Sequence, residues 1–155
     1  MEIKYSVKKS GIDGAGMGLF ADEFVPKGKI IWRLKDEYCT IYHSKQSLEK
    51  VLAKMSREEA INHLVHCFNL DPDTVVHETD DGKYINHSPQ YNMIQFSYTF
   101  KDRDKLCLYA TRDIKPGEEL LENYHNTYYC PEYENKWLTE IEKRYGLWIP
   151  QKPDP

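Results

Sequence analysis

Three stretches of this chain carry residue types and spacings that could do chemistry. YINHSPQYN, at 84–92, sets an amide, an imidazole and a hydroxyl side by side in Asn86, His87 and Ser88. About thirty residues later, GEELLENYH carries the adjacent carboxylates Glu118 and Glu119 and then Glu122 and Tyr124. Near the start, GIDGAGMG at 11–18 is a loop whose glycines would let backbone lie flat against a ligand, because no Cβ intrudes. Each stretch also has a plainer reading. Asn-His-Ser fits a glycosylation acceptor on a secretory route, part of a metal site, or a turn ending at Pro89. The glycine loop could be a simple hairpin turn. A dinucleotide site would need a helix directly after it, and Pro26 and Gly28 follow too soon for one. Glu118 and Glu119 follow a Pro-Gly turn in extended chain, where neighbours face opposite ways, so they read as structural. His63, His66 and Cys67 lie close together on a predicted helix, but two or three helical neighbours do not close a tetrahedral site, so no metal is expected.

The elements that must position these residues are mostly short strands. IKYSVK at 3–8 alternates as a strand does. LFADEFVPKGKIIWRL reads as strand, Pro-Gly turn, strand. From 47 to about 68 the apolar spacing turns helical, with a second start at Ser56, where Glu59 completes a capping box. DPDTVVHETDDGKYINHS predicts a hairpin turning at Asp81-Gly82. Strands at 92–100 and 105–114 precede GEELLENYH, and the tail from Pro131 to Gly146 reads as helical, ending in the apolar YGLWIP. No strand–helix alternation of a doubly wound sheet is present. The expected fold is mainly β with a helical insertion, an α+β arrangement of small sheets. Residues 1–130 form the domain and 131–155 a C-terminal cap.

The 155 residues suit one domain with its own core, and 40% hydrophobic content excludes a disordered chain. No apolar run reaches membrane-span length, and MEIKYSVKKSG has no apolar signal core. An intracellular protein follows as the expectation, with its four dispersed cysteines kept as thiols. A net charge of −4 with scattered basic residues gives no nucleic-acid footprint and suits a basic partner such as a lysine-rich peptide.

In order along the chain come a glycine loop followed by LFA, a Pro-Lys-Gly turn followed by IIW, Asn-His-Ser, and GEELLENY. In this the chain resembles the SET domain, the catalytic domain of a family of protein lysine methyltransferases. The likeness covers residues 3 to about 124. It implies S-adenosylmethionine as cofactor and a protein presenting a lysine as substrate. It implies that Asn86 and His87 meet the cofactor together with Gly14, Ala15, Gly16, Met17 and Tyr124. It also implies that Tyr124 is the catalytic tyrosine, and that the Asn-His-Ser and tyrosine segments thread past each other in a knot-like way.

The chain departs from the family's pattern at three points. Leu34 stands where many members have a tyrosine of Tyr-x-Gly, for which Tyr38 or Tyr42 could substitute in space. Glu122 stands where many have an aromatic residue that governs how many methyls fit; its carboxylate could hold the ammonium, bind a water or point outward. Only Cys130 falls in the tail, so the Cys-rich zinc segment of many histone-directed members is missing. YGLWIP, with Trp148, could instead lie as a lid over the lysine channel, or pack on the core. The rival reading is a non-catalytic SET-like module that binds a peptide or partner.

Overall fold

The computed structural model describes residues 1–96, 106–124 and 135–147. Its strands form three small sheets. Tyr5–Lys9 (β1) and Met17–Ala21 (β2) pair antiparallel, with Val7 opposite Leu19. The glycine loop joins them. Gly14 and Gly16 both sit at φ 76°, where a side chain would be strained. Because the loop leads into a strand, no helix N-terminus stands ready for a pyrophosphate.

Ile30–Arg33 (β3) begins the main sheet, after a turn at Pro26–Lys29. The sheet order is β3-β9-β8-β10-β7. Here β7 is Asn86–His87, β8 Met93–Phe96, β9 Cys107–Ala110 and β10 Leu121–Glu122. Strands β3, β9 and β8 run antiparallel, while β10 is parallel to both β8 and β7. Leu19, Ile31, Met93, Ile114 and Leu120 are fully buried in the core this sheet covers. Much of the strand expected over 92–100 and the path beyond Tyr124 that would complete a threading lie outside the described residues.

The third sheet has Thr74–Glu78 (β6) between Cys39–Tyr42 (β4) and Cys67–Asp71 (β5). Side chains alternate across a strand, so this sheet divides two cores. Phe68, Leu70 and Val76 join the first core, whereas Tyr42 and Val75 face a second. The second core is closed by three helices: Lys45–Leu52 (α1), Arg57–Leu64 (α2) and Lys136–Tyr145 (α3). The capping box read at Ser56 and Glu59 is formed, and it starts α2. The helical stretch ends earlier than 68, because β5 begins at Cys67. Helix α3 buries Leu138 and Ile141 against α1 and α2 and ends at Gly146 in a left-handed cap.

The hairpin expected at Asp81-Gly82 is corrected by the structure. The turn lies one element earlier, between β5 and β6, where Asp71 accepts from Asp73 N at 2.8 Å. Asp81–Tyr84 is instead a 3-10 turn, capped by Asp80, which accepts from Gly82 N at 3.1 Å. The Trp32 side chain decides this. Its Nε1–H donates to Asp80 at 3.0 Å, and a Cβ on Gly82 would come within 2.7 Å of that nitrogen. Gly82→Ala should therefore cost about 1–3 kcal/mol of stability, as overpacked sites do, in urea unfolding.

Beneath the third sheet the His63 and His77 rings stack at 3.7 Å, and His63 Nε2 lies 2.9 Å from the Tyr42 hydroxyl. Burial drives His77 down to about 4, with the charges of His63 and His66 adding to it. A depressed histidine leaves the unfolded chain binding more protons than the folded one between about 4 and 6.5. Stability should fall as pH falls through that window. In thermal melts, His77→Phe should flatten this acid limb relative to the wild type.

Candidate functional site

Asn86 and His87 form β7 because the 3-10 turn before them ends at Ile85 and β10 lies alongside. Leu121 pairs with Asn86, and Glu122 with His87. Ser88 N donates to Glu122 O at 2.9 Å, and Asn92 N to Leu121 O at 3.0 Å. Asn92 is 2% exposed; its Nδ2 donates to Glu119 O at 2.8 Å and its Oδ1 accepts from Leu121 N at 2.9 Å. Residues 86–92 and 119–124 therefore move as one piece. Ser88 serves the turn, its Oγ accepting from Gln90 N at 3.1 Å.

Glu119 ties that piece to the glycine loop. Its carboxylate accepts from Ser10 Oγ at 2.7 Å, Gly11 N at 3.1 Å and Asn86 Nδ2 at 3.0 Å. Asn86 Nδ2 donates also to Met17 O at 2.9 Å. With both amide hydrogens used on protein, Oδ1 is the end of Asn86 suited to meet a cationic group. A Cβ on Gly18 would stand 2.2 Å from Glu119 Oε1, so only glycine lets the carboxylate in. Gly14, Gly16 and Met17 are exposed and Ala15 partly so, presenting loop backbone on the same side as Asn86. Glu118 faces away, pairing with Arg112 at 2.7 Å.

Tyr124 joins the other side of β7. Its N–H donates to His87 Nδ1 at 3.1 Å, which leaves Nε2 as the protonated nitrogen of a neutral ring. The two rings lie 5.3 Å apart. The Tyr124 hydroxyl donates to Ile85 O at 2.5 Å. Burial holds this phenol well above the ordinary tyrosine range, and the charges of Glu122 and Glu78 push the same way. It stays protonated throughout the neutral range, so it can orient and polarise but does not serve as a base.

Tyr124 and Ile85 also border a cavity of about 40 Å³, walled by Trp32, Phe68 and Leu108 and carrying Glu78 and Glu122. Glu122 is 7% exposed, on β10 two residues before Tyr124. Of the three readings left open for it, pointing outward is excluded. Neither Tyr38 nor Tyr42 lines the cavity; Tyr42 is turned into the second core. From that part of the chain the aromatic wall is Trp32, two residues before the buried Leu34. Sequence reading missed Trp32, Phe68 and Glu78. The alternation of TVVHE, which sends Thr74, Val76 and Glu78 to one face, was the available signal for Glu78. Trp148 and Cys130 lie outside the described residues. Among the described residues no group of three His, Cys, Asp or Glu could hold a metal ion.

The glycine loop and Asn86 on one side of β7, and a cavity bordered by the half-buried Tyr124 on the other, give a two-sided site. The SET-domain family model matches residues 16–125, which span both sides. The chain belongs to the SET-domain family. It is 26% identical over 145 residues to histone-lysine N-methyltransferase SETMAR of Rattus norvegicus, covering 89% of this chain and 44% of that protein. It is 37% identical over 62 residues to the H3 lysine-4 specific histone-lysine N-methyltransferase of Schizosaccharomyces pombe, covering 38% of this chain and 7% of that one. The chain thus spans less than half the length of these curated relatives. Its fold is similar to that of ctPRC2 in an autoinhibited conformation bound to S-adenosylmethionine, with a TM-score of 0.62 at 21% identity, over 93% of this chain and 17% of that one. No helix among the described residues is long and apolar enough to cross a membrane.

In this SET domain one carboxylate, Glu119, joins three distant segments. Glu119→Ala should cost about 1.5–3 kcal/mol, the range for hydrogen bonds to a charged group. Amide exchange at Gly11 should speed up tenfold or more, while exchange in α1 and α2 is unchanged by local opening.

Proposed function

We propose that this SET domain transfers a methyl group from S-adenosylmethionine to the side-chain amine of a lysine in a protein. The observation that carries the reading is the position of Tyr124, half-buried where the Asn86–His87 strand meets a cavity lined by aromatic rings and carboxylates. On the open side, the bare backbone of Gly14–Gly16, Asn86 Oδ1 and the β7 backbone offer donors and acceptors that fit an amino-acid group and an adenine edge. Bound there, S-adenosylmethionine supplies a methyl activated by its sulfonium charge. The relatives are named for histone-lysine methylation, so core histones are the first acceptors to try.

The chain's own residues have two tasks. One is to admit a lysine and favour its neutral form. At pH 7 that form costs about 4.6 kcal/mol, 3.4 units below an ordinary lysine pKa at 1.36 each. Walls of Trp32, Phe68 and Leu108 suit the apolar stem of the side chain, and its amine must hand on a proton before transfer. The other task is alignment. The Tyr124 hydroxyl gives its proton to Ile85 O, so its lone pairs are left to face the amine and the moving methyl.

Tyr124→Phe keeps the ring but removes that oxygen. Turnover with labelled cofactor should fall ten- to a thousandfold, about 1.4–4 kcal/mol of transition-state stabilisation. Affinity for S-adenosylmethionine in calorimetry should change little. Mass spectrometry of core histones and of a cell lysate incubated with the wild type should find methylated lysines. A wild type that binds the cofactor but labels no protein would favour the rival reading, a SET-like module that binds a peptide without turnover.

A further inference from the structure

The cavity beside Tyr124 combines two features that rarely meet. Its walls are apolar and aromatic, yet it carries two carboxylates, Glu122 from β10 and Glu78 from the end of β6. Two carboxylates on one cavity draw a cation toward it. Trp32, Phe68 and Tyr124 add ring faces, which also attract cations. We propose that Glu122 and Glu78 form the seat for the incoming lysine ammonium and take the proton it must lose before it can accept a methyl. This rests on the lysine methyl-transfer reading above and deepens it.

The packing supports a seat of fixed shape. Glu122 is held on both sides of its own strand, by pairing to His87 and to Met93. Glu78 N donates to His66 O at 3.0 Å, and a Cβ on Gly82 would meet Glu78 Oε1 at 3.1 Å. The space for the carboxylate thus exists because residue 82 is glycine. Among the described residues, Asp80, engaged by Trp32 Nε1 and Gly82 N, the Tyr124 phenol, the Gln95 amide and the Cys67 thiol also stand near the pair. Burial, with the charges of Asp80 and Glu122, pushes Glu78 up to about 8.

The proton and charge balance closes. One N–H bond of the ammonium breaks, and its proton goes to the carboxylate pair. The freed nitrogen lone pair forms the new N–C bond as the S–C bond breaks and sulfur keeps the electron pair. The positive charge that leaves sulfur arrives on nitrogen beside the carboxylates, which favours the transition state as well as the seat. The pair then returns its proton to water, one per methyl transferred.

Two measurements on the whole chain test this. In the first, n-butylammonium stands in for the lysine side chain, followed by nuclear magnetic resonance of the Trp32 indole N–H. It should shift that signal with a dissociation constant at least tenfold lower for the wild type than for Glu122→Gln or Glu78→Gln, whereas 1-pentanol, the uncharged analogue, should not distinguish them. Equal binding of n-butylammonium by all three folded proteins would overturn the seat. In the second, kcat/KM on the labelled protein is followed from pH 6 to 10. Glu122→Gln should be at least tenfold slower at pH 7, and the deficit should shrink toward pH 10 as the amine loses its proton to water. A deficit constant across pH would overturn the proton-accepting role. If the wild type seats n-butylammonium but methylates nothing, the methyl-transfer reading fails and the ammonium seat stands.

Discussion

The Glu119 carboxylate is the contact on which the rest of this site depends. It receives Ser10, Gly11 and Asn86 from two segments that lie far from it in sequence. A carboxylate can accept several hydrogen bonds at once, and each is stronger than a neutral one. That is why one side chain can hold a flexible glycine loop against a two-residue strand. Gly18 leaves the room it needs, and Asn92 locks the backbone of Glu119 from behind. The site residues need little direct support from the core because this carboxylate supplies it.

The same narrow strand serves both sides of the site. Asn86 turns toward the loop, whereas the flanking Ile85 borders the cavity and accepts the Tyr124 hydroxyl. This is the ordinary alternation of a strand, used as a partition. In the proposed reading, a methyl donor on one side and an amine on the other meet at Tyr124, beside Trp32, Phe68 and Leu108. A phenol held protonated suits such a junction, because it keeps a steady dipole across the neutral range.

The third sheet shows how packing and chemistry share one element. Its central strand β6 puts Val76 and Glu78 toward the cavity side and Val75 and His77 toward the helices. The helical insertion and α3 shield the second face, where the half-buried His63 and His77 rings stack. Trp32 links this sheet to the site through Asp80 and Gly82.

Much was legible in the chain itself. Period-two and helical spacing gave the strand-rich plan with its helical insertion, and Ser56 with Glu59 gave the start of α2, because those signals are local. The ordered motifs gave the family, which the match over residues 16–125 shows. Other features depended on partners far away in sequence. Asp81-Gly82 carries a hairpin signal, but the Trp32 indole needs Gly82 for close approach, and the hairpin moved to Asp71–Thr74. Glu119 reads as an ordinary turn-side glutamate until its three donors arrive from residues 10, 11 and 86. Glu78 and Glu122 lie forty-four positions apart by number, 78 to 122, and only the stacking of β6 and β10 around one cavity makes them neighbours of Tyr124. Sequence spacing determines which face a residue takes; which faces meet is decided by long-range packing, and there the chemistry of this site was set.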